Sequence, residues 1–427
     1  MNRSRPSHAV PRLSWLVITA CAPLLMAFGP QGFDEAEKKE DLIAKLASDL
    51  NKVDHSITVT KDLIQRSPDA PYLADLYFRL AELYVEKSRY TFARIMEQQT
   101  AGDRVLSGEQ SLEVTLNKRL AIETYDKVLG SFPEYVNNDQ IRFFKAHEFR
   151  ELGQWEEMLK QYGELIEKFP KSPWSMEARL IIGDYYFDKN EFEPAEEQYS
   201  AILKEPESHI HDMARYKIGW IRINEEKWKD ALRLFRNAVA SRRKTRKAAV
   251  GDASGIDVKR EAMLAMTWPY SEIAKPADAP KFFRDLADSK TVYVTTLKKL
   301  ANRYWIKTQY PAAATLYREI VQYSSDIGEN IEYIQRIYES VRNMSERNPA
   351  RYANAATDVD AIVSNVARFQ NHITFSEEDK GRLIKDFEIR ARDLATRLQL
   401  DAQKRKDTKS LRTAAEAYRK YLSLFEE

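Results

Sequence analysis

The sequence has few of the residues that build disulfides, metal centres or phosphate loops. Its 427 residues include one cysteine, Cys21, which excludes an internal disulfide and a cysteine zinc cluster. Only 13 residues are glycine, and no Gly-rich phosphate loop, HExxH or GxSxG motif occurs. His209 and His211 lie two positions apart, which does not place them on one helix face, and we expect solvated loop residues there. We therefore expect no catalysis, cofactor, metal or small-molecule substrate.

An excess of either charge is also lacking. Lysine and arginine number 67 against 65 aspartates and glutamates, which argues against a nucleic-acid partner because such binding depends on net positive charge. Hydrophobic residues make up 43% of the chain, and Ala, Leu, Glu, Lys and Arg dominate. This composition predicts a globular, all-α protein.

The amino terminus has the anatomy of a secretory signal. Basic residues precede an apolar run, Leu13 to Gly29, that is short for a membrane span and is interrupted by Pro23. Ile18, Thr19, Ala20 and Cys21 match a bacterial lipobox, which makes Cys21 a candidate lipidation site. The alternative is a signal with an incidental cysteine, cleaved near Gly29 or retained as an anchor. Either way we expect export, and the lipobox alternative would add an outer-membrane anchor.

One pattern of small and aromatic residues recurs along the chain. Gly219, Arg222, Trp228, Ala231 and Phe235 are separated by steps of three, six, three and four. The same steps join Gly183, Tyr186, Phe192, Ala195 and Tyr199; Ala146, Phe149, Trp155, Met158 and Tyr162; and Ala301, Tyr304, Tyr310, Ala313 and Tyr317. A degenerate copy starts at Thr267, and another begins with Ala81, Tyr84, Tyr90 and Ala93 but fails at Glu97.

These steps predict pairs of antiparallel helices. Steps of three and four keep residues on one helical face, and the step of six crosses a short turn. The small residues allow the two helices to approach closely, and the aromatics fill the space around them. Because one pair cannot bury its apolar face alone, neighbouring pairs must stack.

The ladder resembles the tetratricopeptide repeat. The resemblance implies an all-α solenoid of helical hairpins, with irregular insertions and longer C-terminal helices. Ser241 to Val258 would be an insertion, and its basic run, Arg242 to Lys247, would form either a solvated loop or a surface for anionic lipid or acidic partners. We expect a signal over 1–29, a helical segment over 30–71, the repeat array over 72–323 with its insertion at 241–258, and a helical region over 324–427.

In this family the first helices of successive units line a concave groove that receives a protein segment. Carried over to this sequence, the groove would be lined by Phe143, His147, Arg150, Phe187, Tyr216, Trp220, Trp268 and Trp305. Aromatic and arginine side chains are typical anchors of binding surfaces. The alternative is that they pack between adjacent repeats.

Together these observations predict an exported scaffold that binds other envelope proteins in the periplasm. The leader and the segment MARYKIGW resemble extracytoplasmic tetratricopeptide proteins of myxobacteria and their relatives, which include components of the gliding-motility machinery. The alternatives are an outer-membrane assembly lipoprotein, an accessory factor of a peptidoglycan-processing enzyme, and a cytosolic co-chaperone, which would have no leader.

Overall fold

The computed structural model describes residues 32–98, 108–205, 210–240, 257–324, 326–344, 352–370 and 375–425, with side chains from residue 39 of the first helix and residue 112 of the third. Every regular element in these ranges is helical, so the predicted all-α class is confirmed. The described residues divide into two compact units, one ending at Ala214 and the other starting at Arg215.

The first unit consists of helical hairpins joined by short loops. Its helices are α1 (Gly32–Arg66), α2 (Leu73–Gln98), α3 (Gly108–Ser131), α4 (Asn138–Glu151), α5 (Trp155–Lys168), α6 (Pro173–Asp188) and α7 (Phe192–Lys204), followed by the start of α8 (His211–Asn224). Each helix from α1 to α6 packs on the next one along the chain. Sequence order is therefore also packing order in this unit.

The second unit contains the rest of α8 and ten further α-helices in its described residues. These are α9 (Trp228–Ala240), α10 (Val258–Ala265), α11 (Thr267–Ile273), α12 (Ala279–Leu286), α13 (Lys290–Ile306), α14 (Tyr310–Tyr323), α15 (Ile327–Asn343), α16 (Ala355–Gln370), α17 (Glu377–Arg405) and α18 (Thr408–Leu422), with a 3₁₀ turn at Pro276–Asp278. Helices α13 to α16 pack in chain order, and α18 packs on both α16 and α17.

The ladder residues meet at the centre of their hairpins. Gly183 on α6 faces the buried ring of Tyr199 on α7, and a methyl group added at Gly183 would lie 2.5 Å from that ring. In the second unit Gly219 faces Phe235, where the corresponding distance is 2.6 Å. The small residues therefore allow close helix approach, as the spacing predicts.

The step of six is explained by a repeated turn at the end of the first helix. A backbone N–H bonds the carbonyl oxygen five residues earlier at 2.8–2.9 Å, which is the Schellman arrangement, and the residue before the donor is left-handed. The donor and acceptor pairs are Gln154 and Phe149, Glu191 and Tyr186, Lys227 and Arg222, Gln309 and Tyr304, and Asp407 and Ala402. Glycine occupies the left-handed position only at Gly153; Asn190, Glu226, Thr308 and Lys406 adopt it elsewhere.

A second repeated contact, which the ladder does not contain, joins consecutive hairpins. A side chain near the start of a helix reaches the backbone carbonyl six residues earlier, at the end of the preceding helix. The pairs are Asn138 with Phe132, Ser175 with Phe169, His211 with Glu205, and Asn330 with Ser324. The predicted solvated loop histidine is thus wrong for His211, which begins α8 and is buried, with its Nε2 3.2 Å from the Glu205 carbonyl oxygen. His209 lies outside the described residues.

The ladder assigned to Ala81 is also corrected. Helix α2 continues without a break through Tyr84 and Tyr90, so no turn separates them. The second helix of this hairpin is α3, whose Ala121 and Tyr125 are buried in the same apolar cluster as Ala81. The six residues from Tyr84 to Tyr90 thus lie within one helix, and the packing of α3 on α2 identifies the true second helix of this hairpin.

The degenerate copy at Thr267 is distorted. Its first helix is interrupted between α10 and α11, and its second helix, α12, has only eight residues. Pro269 lacks the N–H that a continuous helix would donate to Ala265, which accounts for the interruption. Further on, Ser376 caps α17 by accepting from the Asp379 N–H at 3.1 Å, and Phe387, Ala391, Leu394 and Leu398 form a buried stripe along that helix.

Candidate partner-binding site

The first unit holds four of the predicted groove residues. Phe143 on α4 is half-buried and packs between two hairpins, because its ring centroid lies 5.6 Å from that of Tyr162 on α5 and 4.8 Å from that of Trp174 on α6. Phe187 at the end of α6 makes an edge contact with Phe192 at 5.6 Å. Both aromatics contribute to packing within and between hairpins.

His147 belongs to a partly buried charged cluster. Its Nε2 lies 3.3 Å from Oε1 of Glu151, one turn along α4. Lys118 of α3 donates to Glu151 and, at 3.1 Å, to the buried Glu148. Burial opposes ionisation of Glu151, but hydrogen bonds from His147 and Lys118 outweigh it and lower its pKa to about 2. The cluster therefore joins α3 to α4 electrostatically.

Arg150 lies one turn from His147 and is half-buried. Its positive charge is close enough to Tyr162 to oppose the effect of burial, which raises the pKa of that phenol. The Tyr162 hydroxyl has no hydrogen-bonding partner among the described residues. Phe143 and Arg150 thus both lie close to Tyr162.

The other four predicted groove residues lie in the second unit. Trp220 of α8 is half-buried and contacts Phe235 at 5.9 Å and Trp268 of α11 at 6.3 Å, both edge-on. Tyr216 is buried, with its ring 5.8 Å from that of Phe235, and burial raises its pKa. Tyr216 is therefore part of the hairpin core, whereas Trp220 and Trp268 are only half-buried.

The side chain of Arg303 stacks on the ring of Trp268. The guanidinium of Arg303 on α13 lies 4.0 Å from the ring centroid of Trp268, within the range of a cation–π contact. Its Nε donates to the Ser271 hydroxyl at 2.6 Å and its Nη2 to Glu272 at 2.9 Å. Lys307 donates to the same carboxylate. Together, Trp220, Trp268 and Arg303 form what we term the tryptophan–arginine cluster.

A similar stack occurs one hairpin further along the chain. Trp305 of α13 contacts Tyr310 at 5.3 Å, and the guanidinium of Arg336 on α15 lies 4.5 Å from the ring centroid of Trp305. The nearest carboxylates to Arg336 are Glu332 and Glu339, at 3.7 and 3.9 Å, which is beyond hydrogen-bonding distance. No hydrogen bond to this guanidinium occurs within the described residues.

The two arginines were not predicted from the sequence, although a signal exists. Arg303 follows Trp268 by 35 residues and Arg336 follows Trp305 by 31, so each pair is separated by about one repeat. A tryptophan and an arginine one repeat apart are placed on neighbouring first helices by the stacking of hairpins. The roles of the eight predicted groove residues in partner binding remain predictions.

The described residues contain no group of three or more potential metal ligands. Within the same ranges, none of the helices combines the length and apolar character needed to cross a bilayer. Cys21 and the predicted signal lie outside the described residues, as does all but the end of the predicted insertion at 241–258.

A tetratricopeptide repeat family model matches residues 149–172, which cover the end of α4, the turn at Gly153 and helix α5. The chain carries a tetratricopeptide repeat within an all-α fold of that type. Tetratricopeptide proteins generally mediate protein–protein interactions. No curated protein matches this chain in sequence.

Solved structures resemble the chain at low identity. A tetratricopeptide repeat protein from Parabacteroides merdae is 14% identical over 70% of this chain and 98% of its own, with a TM-score of 0.30. The structure of Naa15/Naa10 bound to HypK-THB is 12% identical over 91% of this chain and 64% of that one, with a TM-score of 0.29. The P58(IPK) TPR domain is 11% identical over 92% of this chain and all of its own, with a TM-score of 0.19. Scores this low carry no argument about partners.

Proposed function

We propose that this chain is a non-enzymatic scaffold whose protein partner binds on the first helices of the second unit. The observation that supports this most is the pair of tryptophan–arginine stacks, Trp268 with Arg303 and Trp305 with Arg336. Tryptophan and arginine are the residues most enriched among binding hot spots. Half-buried rings that are already held by neighbours lose little conformational freedom when a partner binds.

The arginines indicate what the partner must supply. The Arg303 guanidinium is already satisfied by Ser271 and Glu272, so its main contribution is to fix and extend the face of Trp268. The Arg336 guanidinium has donors without a hydrogen-bond acceptor among the described residues, and a partner carbonyl or carboxylate would satisfy them. The partner segment would therefore place apolar groups on the tryptophans and an acceptor at Arg336.

We further propose that the scaffold works in the bacterial periplasm, with other envelope proteins as partners. The sequence of residues 1–29 supports export, and Cys21 supports an outer-membrane anchor. The resemblance to myxobacterial proteins supports a role in an envelope-spanning complex such as a gliding-motility machine. Labelled palmitate incorporation, compared with a Cys21→Ser variant, tests the anchor, and equal labelling of the two would refute it.

Photo-crosslinking in cells tests the partner site. A benzoylphenylalanine residue replaces Trp268 or Trp305 in separate variants, and a third variant carries it at Trp155, which is 45% exposed on the first unit. We expect positions 268 and 305 to capture the same protein and position 155 to capture none of it. The site would be refuted if position 155 captured that protein equally, or if only position 155 gave a product.

An arginine variant tests the chemistry of the contact. Replacing Arg336 by glutamine keeps a polar side chain but removes the charge and the fork of donors. We expect the crosslinking yield from position 268 to fall at least tenfold. The matched control is Arg382→Gln on α17, where the arginine is exposed and paired only with the neighbouring Asp379; this variant should leave the yield unchanged.

A further inference from the structure

A basic groove lies beside α9 in the second unit, and α11 is the one helix that contributes to both this groove and the tryptophan–arginine cluster. It is bounded by α9, α11 and α12 and has a volume of about 310 Å³. Its lining residues are Lys229, Arg233 and Arg236, which are exposed, and Leu232, Ile273 and Phe282, which form an apolar floor. Such a volume accommodates at least one large side chain.

Helix geometry places the cations beside the floor. Lys229, Leu232, Arg233 and Arg236 follow one another at steps of three, one and three along α9, so they share one helical face. Aromatic packing fixes Phe282 in this floor, because its ring centroid lies 5.0 Å from those of Tyr270 and Phe283. Ile273 is 40% exposed, so an apolar surface is left open next to three positive charges.

Little of the positive charge in this groove is paired within the described residues. No carboxylate is among its lining residues, and Lys229 and Arg236 have no ion pair within the described residues. Arg233 pairs only with Asp230, and both side chains are exposed, so this pair contributes little. From Lys227 to Lys247 the sequence has nine lysines and arginines against one acidic residue, in a chain whose total charge is nearly balanced.

We propose that this groove binds an acidic segment of a protein partner that inserts one bulky apolar side chain. The apolar side chain would cover Leu232, Ile273 and Phe282, and flanking carboxylates would pair with Lys229, Arg233 and Arg236. Charged donors and carboxylates form the stronger hydrogen bonds in such contacts, and the concentrated positive charge speeds association. Asn237 at the same wall would hydrogen-bond the backbone of the segment.

Other polyanions fit the groove less well. A small anion would engage the cations but leave the apolar floor in water. A bilayer surface is flat on this scale and would not fill the cavity. Nucleic acids bind through extended stripes of charge with several stacking aromatics, whereas a single aromatic residue, Phe282, is among the residues that line this groove.

Selection from a displayed library of random peptides about twelve residues long tests the proposal with the full chain as target. We expect the selected peptides to be enriched in Asp and Glu around an aromatic or large aliphatic residue. The Lys229→Gln/Arg236→Gln variant should bind those peptides at least tenfold more weakly in fluorescence anisotropy, and Ile273→Ser should weaken them at least threefold. The altered side chains are exposed, so the variants should keep the thermal transition of the parent chain.

The matched control is Arg382→Gln/Lys404→Gln, which removes two positive charges from exposed positions on α17 and should bind as the parent does. The proposal is overturned if the selected peptides have no excess of acid, or if both double variants bind them equally. It is also overturned if the two double variants differ in binding to phosphatidylglycerol vesicles but bind every selected peptide equally, since the groove would then be a lipid-binding surface. A Trp268→Leu variant should bind these peptides normally, which separates this groove from the tryptophan–arginine cluster.

Discussion

Replacing Gly183 by alanine places a methyl group where the ring of Tyr199 already lies. The new Cβ would be 2.5 Å from Cε1 and 2.9 Å from Cδ1 of that ring, whereas ordinary contacts begin near 3.4 Å. Tyr199 is fully buried, and its hydroxyl donates to Asp184 at 2.6 Å, so the ring cannot retreat without loosening that bond. Gly163 on α5 provides the control, since it is exposed and a Cβ there would contact nothing within 4 Å.

The two substitutions are chemically identical, but we expect effects of opposite sign. Overpacking a buried site costs about 1–3 kcal/mol, and alanine recovers about 1 kcal/mol of helix propensity relative to glycine. The Gly183→Ala variant should therefore lose up to about 2 kcal/mol of unfolding free energy. The Gly163→Ala variant has only the propensity gain and should be more stable by about 0.5–1 kcal/mol.

Urea unfolding followed by far-ultraviolet circular dichroism measures both effects as shifts of the midpoint at constant slope. In a chain that carries Tyr199→Leu, adding Gly183→Ala should cost less than it does in the parent, because leucine leaves room for the methyl group. The double-mutant cycle should give a coupling of about 1 kcal/mol. If Gly183→Ala stabilises the chain as much as Gly163→Ala does, then close helix approach is not the reason for glycine at position 183. The Tyr199 ring would then accommodate alanine at position 183, as the neighbouring hairpin does with Ala146 at the equivalent position.

Three further substitutions test separate features of the two units. Thr308 is exposed and left-handed with a φ of 57°, so Thr308→Gly should raise the unfolding free energy by about 1 kcal/mol in urea titration; a loss would show that the backbone strain is absent. Arg318 donates to the buried Asp358 at 2.6 and 2.8 Å, so Arg318→Met should cost about 3–5 kcal/mol by leaving that carboxylate unpaired, and a cost below 1 kcal/mol would contradict this. The folded-state pKa of Glu151, about 2, lies below its ordinary value of 4.5, so its stabilisation is complete above pH 4.5 and is lost as the pH falls towards 2. Across that range the unfolding free energy, measured by urea titration, should fall less for Glu151→Gln than for the parent, by up to about 3 kcal/mol. Parallel pH curves for the two proteins would refute the role of this carboxylate.

Much of the hairpin geometry could be predicted because it depends on residues close together in sequence. The ladder at Gly183 and Gly219 locates the helix contacts, and its step of six reflects one turn with a fixed hydrogen bond. The left-handed residue in that turn could not be predicted at Glu226 or Thr308, because neither residue type favours this conformation. There the packing of the two helices imposes the turn and outweighs the local preference.

The candidate site was predicted only in part. The positions of Trp268 and Trp305 follow from the repeat register, but the arginines that stack on them come from the next hairpin, 35 and 31 residues away. The register also placed Tyr216 on the binding face, although its ring is buried against Phe235. Whether an inward-facing aromatic remains exposed depends on the size of the residue opposite, which the repeat pattern does not specify.

The sequence by itself determined that the chain forms paired helices, where most of them turn, and which small and aromatic residues meet inside each pair, because these features arise from contacts over three to six residues and within one hairpin. The tertiary structure alone decided that α2 runs on past Tyr90 to pair with α3, that Lys118 joins Glu148 and Glu151, and that three cations of α9 border an open apolar floor. Those outcomes depend on how one hairpin packs on its neighbour. That packing is set by the shape and charge of whole helix faces, and a periodic sequence pattern records the spacing of such faces but not their fit.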